Sequence, residues 1–361
     1  MFDTIILNMR RIIVLEILGL FIFLSLIGFL AGFLWLFIYK TGDQNKFPAA
    51  TSKTQHIAVL SRSEWDSKRE YYFSIVNNHN PRIALEKVRE EIKTNNPLSR
   101  NCHELTHEIG HTAFNKYKDF GKAMQYQDEV CNSGYMHGVI ESYFEKNKSD
   151  ISGAVKNACK SYKKNNFIAW ECFHGIGHGV MFATDNNMPK SINLCAKLPN
   201  AFQYSACANG VFMQNFNSDE FIHPSKFLSS KNFFYPCSTL NLQDMKNCYL
   251  YSPIYFLSKH NNDYLEAFKW CNTAPIAFIN VCAMGVGTEM IKQNINNPKL
   301  VMQICLKASQ NEKEACIEGM VGLYVYHYGN LSAAENLCKT LGVDAKKACS
   351  NSINSLKPLF L

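Results

Sequence analysis

The sequence predicts an all-α protein, with an N-terminal transmembrane helix followed by a right-handed αα-hairpin solenoid stapled by disulfides within each repeat. Three observations carry that expectation. An apolar segment runs from Ile12 to Tyr39, with Glu16 its only charge. All fourteen cysteines lie after Asn101, and there is no C-x-x-C pair among them. Most of these cysteines form close pairs that recur every 33 to 42 residues, the period of two-helix repeats.

The apolar segment is longer than a signal-peptide core, and no small-residue cleavage site follows it. It is long enough to cross a bilayer with tilt. Arg10 and Arg11 precede it, whereas Lys40 is soon followed by Asp43, so the positive-inside bias places the N-terminus in the cytoplasm. Residues 1–40 then form a cytoplasmic stub and anchor, and 41–62 a polar linker. A helical part with His-rich segments occupies 63–185, and a Cys-paired repeat region 186–361. The expected localisation is a single-pass membrane protein with its C-terminal part outside the cytoplasm. An even number of cysteines outside any metal-binding spacing fits an oxidising compartment.

After the linker, Glu64 to Asn77 and Pro81 to Lys93 read as helices. Pro81 suits a first helical turn, and Ile83, Leu85, Val88 and Ile92 form an apolar stripe. Cys102 and Cys131 close a longer loop. In the pairs that follow, Cys159 goes with Cys172, Cys195 with Cys207, Cys237 with Cys248, Cys271 with Cys282, Cys305 with Cys316, and Cys338 with Cys349. The first Cys ends an amphipathic stretch, as in Tyr264 to Cys271, and the second opens another. Placed about a turn from a helix–helix loop, the two can meet at disulfide distance. Each such closure stabilises by about 3 kcal/mol in the chain-entropy model.

Glycine follows the second Cys at the third position in Gly134, Gly175, Gly210, Gly285 and Gly319; Tyr251 breaks the pattern. Gly inside a helix is unfavourable by roughly 1 kcal/mol against Ala. Its repeated use implies close helix packing, or room for something bound.

From about Asp150 to Leu361, this period and cysteine placement resemble disulfide-stapled αα-repeat proteins of the Sel1-like or tetratricopeptide kind. The resemblance implies a solenoid fold and no activity.

Six of the eleven histidines fall between His103 and His178. His103, His107 and His111 are spaced i, i+4, i+8, and His174 and His178 are again i, i+4. His137 and Glu141 make a third such pair. Residues four apart share a helix face, with Cβ atoms about 5–6 Å apart. Two imidazoles at that spacing can hold one metal ion. In a solenoid these segments are successive second helices, so a row of ligands on a concave wall is expected, with the neighbouring glycines keeping that wall open.

His103-Glu104-Leu-Thr-His107 also fits H-E-x-x-H, two zinc ligands with a glutamate base. Yet the residue after the second His is Glu108, and Ala113 stands where a longer metzincin motif needs His. Zinc is the first choice of metal, iron or copper the next, with Met213 favouring copper if it joins. Histidines satisfied within a polar helix interface, with no metal at all, are the competing reading.

The formal charge of +7 is spread over scattered lysines, with no dense basic run interleaved with aromatics, which argues against a nucleic-acid partner. Two functional classes remain. One is a metal-binding protein acting as a metal-dependent hydrolase, with Glu104, Glu108 or Glu141 as base. The other is a non-enzymatic scaffold whose concave face binds a protein, peptide or glycan.

Overall fold

The computed structural model describes residues 60–164, 166–218 and 224–360. Among them every regular element is helical, and no strand occurs. The N-terminal helices are α1 (Arg62–Asn78), α2 (Pro81–Glu91) and the short α3 (Asn96–Arg100). Then come α4 (Cys102–Tyr117), α5 (Phe120–Met124), α6 (Val130–Lys146), α7 (Ile151–Ala158) and α8 (Phe167–Ala183).

Asparagine explains where many of these helices start. Asn80, Asn95 and Asn166 stand at the N-caps of α2, α3 and α8, and each side chain accepts from a backbone N–H three residues on. Such caps are worth about 1 kcal/mol each. Ser61 and Glu64 close a capping box before α1.

Beyond α8 a two-helix unit repeats. A first helix of eight residues ends on its cysteine in α9 (Met188–Cys195), α12 (Tyr264–Cys271) and α14 (Pro298–Cys305). The longer partners are α10 (Ala201–Phe216), α13 (Ile279–Gln293) and α15 (Gln310–Tyr328), and each carries the second cysteine. The last unit is α16 (Ser332–Lys339) with α17 (Val343–Leu356).

All seven expected cysteine pairs are joined, with Cα–Cα separations of 5.3 to 5.9 Å. Cys102 bonds to Cys131 between α4 and α6, and Cys159, just past α7, bonds to Cys172 of α8. In the repeat units Cys195 bonds to Cys207, Cys271 to Cys282, Cys305 to Cys316 and Cys338 to Cys349. The remaining unit, in which Cys237 bonds to Cys248, departs from the pattern. Its first cysteine opens a single 3-10 turn, Cys237–Thr239, before the partner helix α11 (Leu242–Lys259).

Three apolar cores follow one another along the array. The first takes residues from Tyr72 to Val139, the second from Met136 to Phe278, and the third from Phe256 to Ile353. Each unit thus buries its face against the next, as a solenoid must. The middle core runs without a break across 185–186.

The glycines set how closely the second helices approach. A Cβ on Gly319 would overlap the Met284 carbonyl oxygen, one on Gly285 that of Leu250, and one on Gly210 that of His174. Gly110 and Gly138 meet backbone of α6 and α4 in the same way. They bring backbones together, as the expected close helix packing requires, and do not hold a wall open.

The array also closes on itself. Arg100 Nε donates to the Gln293 carbonyl at 2.8 Å, and Asn296 Nδ2 to that of Ile92 at 2.9 Å. Phe167 stacks on Phe360, and α15 packs on α6.

The expected transmembrane helix lies outside the described residues. Among the described residues, no helix is long and apolar enough to cross a membrane. The single-pass membrane assignment is corrected to that extent: it finds no helix to carry it among the described residues. The seven disulfides support an oxidising, extracellular type of environment.

Candidate metal centre

The centre is built from three neighbouring second helices, with α6 between α4 and α8. Their glycines let them pack closely enough for side chains from all three to meet. His103 and His107 come from α4, His137 from α6, and His174 and His178 from α8. His103, His137, His174 and His178 are each at most 6% exposed. These five imidazoles form a compact cluster, with His137 at its middle. The His137 ring lies 5.4 Å from those of His103 and His107, and 5.1 Å from those of His174 and His178. They are therefore buried in a helix interface and do not line an open concave wall.

The hydrogen bonds determine where the ring protons sit. His103 Nδ1 is 2.8 Å from the Cys131 carbonyl oxygen, which can only accept. That carbonyl is turned toward α4 because Cys131, Asn132 and Ser133 take left-handed backbone angles at the start of α6. His107 Nδ1 lies 3.1 and 3.2 Å from the two Glu141 oxygens. His178 Nδ1 donates to Gln214 Oε1 at 2.9 Å. Each of these rings keeps its proton on Nδ1, which leaves a lone pair on Nε2.

Those lone pairs converge. His103 Nε2 and His107 Nε2 are 3.0 Å apart, and His174 Nε2 and His178 Nε2 are 3.1 Å apart. The two lone pairs of His103 and His107 at that distance need a cation between them, whereas His174 can carry its proton on Nε2 and donate it to His178. A proton is disfavoured, because burial pushes His103 well below the ordinary imidazole range, with neighbouring imidazoles adding to the shift. Burial does the same to His137 and His174, and lowers His178 to about 4. His137 is the extreme case, since both its ring nitrogens are buried without a hydrogen-bond partner.

The spacing fits a metal. With metal–nitrogen bonds of about 2.0–2.1 Å, two ligands on a tetrahedral edge lie about 3.3–3.4 Å apart, a few tenths from what is observed. Two sets of donors each fall within 4.8 Å of one another: His103, His107 and His137, and His137, His174 and His178.

Glu141 is an orienting group. It accepts from His107 on one side and from His111 Nε2, at 2.7 Å, on the other. Burial opposes its charge, but the facing imidazoles outweigh that and hold the carboxyl well below the usual carboxylate range. Burial also opposes a charge on His111, and the Glu141 hydrogen bond and charge reverse the shift upward. His111 thus joins Glu141 at the outer edge, apart from the five facing rings.

Glu104 and Glu108 have other partners. Burial works against the Glu104 charge, yet Lys292 Nζ, 3.0 Å away, brings the carboxyl down to about 2. Glu108 pairs with Arg69 at 3.0 Å.

Two contributors escape the sequence reading. Gln214 orients His178. Glu171 lies 3.6 Å from His137 Nε2, and burial pushes its pKa up to about 8. Their only sequence signal is spacing, one helix pair onward: Glu171 follows His137 by 34 residues, as Glu141 follows His107, and Gln214 follows His178 by 36. Comparison with protein families, curated proteins and solved structures finds no match for this chain, so the side-chain geometry alone carries the functional argument.

Proposed function

We propose that the protein binds a transition-metal ion through the imidazoles of His103, His107, His137, His174 and His178, with zinc the first candidate. One observation carries the reading: the Nε2 lone pairs of His103 and His107 face each other at 3.0 Å beside a His137 ring with no hydrogen-bond partner. A buried polar group without a partner is unfavourable by about 1–3 kcal/mol, and a metal ion would satisfy several such groups at once.

Neutral imidazole suits zinc, copper and iron. The cysteines offer no thiolate, because all fourteen are in disulfides. Glu141 behind His107 supports the reading further. A carboxylate on the far nitrogen of a ligand imidazole sets its tautomer and raises its basicity. A bound ion of this kind supplies a Lewis acid, and one with an open position also an acidified water. Hydrolysis would in addition need a free carboxylate facing the ion, and Glu104, Glu108 and Glu141 are each held by other groups.

The test is elemental analysis of the full chain, purified under oxidising conditions, beside a His107→Ala, His178→Ala double variant. Near-stoichiometric metal, lost in a variant that keeps its helical circular dichroism, supports the reading. A metal-free wild type that folds as well as the variant overturns it and leaves the scaffold class.

A further inference from the structure

We propose that the centre is dinuclear, with His137 bridging two metal ions through Nδ1 and Nε2. This rests on the metal-binding reading above. The donor atoms of one ion, bonded at about 2.0–2.1 Å, cannot lie much more than 4 Å apart. The five imidazoles do not come together as one group. They fall into two overlapping sets of three, each with its donor atoms within 4.8 Å of one another, and His137 is the shared member.

His137 is built for sharing. It sits on the middle helix, its ring 5.4 Å from those of His103 and His107 on α4 and 5.1 Å from those of His174 and His178 on α8, and near-parallel to that of His178; the His107 and His178 rings also approach each other, at 5.3 Å. A neutral imidazole serving one ion uses one nitrogen and leaves an N–H on the other. Here both nitrogens are buried and neither has a hydrogen-bond partner, the Glu171 carboxyl standing 3.6 Å from Nε2, beyond hydrogen-bond reach. A single ion would therefore relieve one of them and leave the other unsatisfied. Two ions satisfy both.

Binding of the second ion breaks the remaining N–H bond of His137 and forms a metal–nitrogen bond. The proton leaves to solvent, and no electrons are transferred. Each ion then holds three imidazole nitrogens, His103, His107 and His137 on one side and His137, His174 and His178 on the other.

Copper(II) is the probe, because two copper(II) ions joined by an imidazolate couple magnetically. The full chain is loaded with copper(II), desalted over a weak chelator, and measured for copper content and for spins by electron paramagnetic resonance. The expected result is two copper ions per chain with a spin count well below two. A His137→Phe variant should lose the coupling, so that its spin count equals its copper content. A His103→Ala, His107→Ala variant should halve the copper and show one full spin per ion. Two ions with a full spin count in the wild type overturn the bridge. One ion overturns the dinuclear centre and leaves the metal-binding reading standing. No copper, and no zinc when zinc is tried in its place, sinks that reading as well. If His137→Phe does not fold, the wild-type spin count and the His103→Ala, His107→Ala variant decide.

Discussion

Glu141→Gln changes the charge behind His107 and almost nothing in size. The carboxylate accepts from His107 Nδ1 and from His111 Nε2, so both rings direct a proton at it. A carboxamide has one accepting and one donating end. If its oxygen stays on His111, its NH2 faces His107 and drives the proton from Nδ1 to Nε2. The proton then sits between His107 and His103, where the two nitrogens are 3.0 Å apart and a metal would bind. Loss of an outer partner of a ligand histidine typically weakens metal affinity about 10–100-fold, or about 1.4–2.8 kcal/mol. The upper half of that range is expected here, because the substitution blocks the lone pair as well as weakening it. Competition for zinc against a chromophoric chelator measures the affinity. Nitrogen-15 shifts of His107 report the tautomer, which a purely structural role for Glu141 would leave alone. An unchanged affinity in a folded variant whose His107 proton remains on Nδ1 would refute the reasoning.

Three further outcomes are expected. Gly319→Ala puts a Cβ into the Met284 carbonyl of the neighbouring helix, which cannot rotate away, so thermal unfolding should show a loss of about 1–3 kcal/mol or more. Gly322→Ala on the same helix meets nothing within 4 Å and should gain up to about 1 kcal/mol; equal effects at the two sites would contradict the close-packing account. Replacing Cys305 and Cys316 together by Ser, 11 residues apart, should lower stability by about 3 kcal/mol in urea titrations. His327 is buried, and burial lowers its pKa to about 4. Its unfolded value is about 6.5. The unfolded chain therefore takes up a proton between those values while the folded chain does not. The His327 contribution is intact above pH 6.5 and falls away as pH drops toward 4, by up to about 3 kcal/mol. A His327→Phe variant should show a flatter stability profile over that window, and an identical slope would remove His327 as the cause.

The sequence by itself determined the repeat and where its staples could form. Cysteines 11 to 13 residues apart, from Cys159 and Cys172 to Cys338 and Cys349, favour local closure, and the structure joins them in that way. Their spacing pointed to hairpins without any knowledge of distant contacts, while the connectivity itself was fixed by the fold. The i, i+4 spacing likewise placed His103 with His107 and His174 with His178, because four residues return a helix to the same face. Tertiary structure decided what those faces meet. Glycine is equally compatible with open space and with tight contact, and only the neighbouring backbone at Gly110, Gly138 and Gly210 shows which applies. The roles of the carboxylates depended on it too. Glu104 and Glu141 are the same side chain four residues from an imidazole or less, yet Lys292, 188 residues away, takes the first, and His107 and His111 take the second. Closure of the array brings Lys292 to α4, and a contact made by closure leaves no periodic trace in the chain. The burial that strips His137 of partners has the same origin, since desolvation is set by every helix packed around a group and not by its neighbours in sequence.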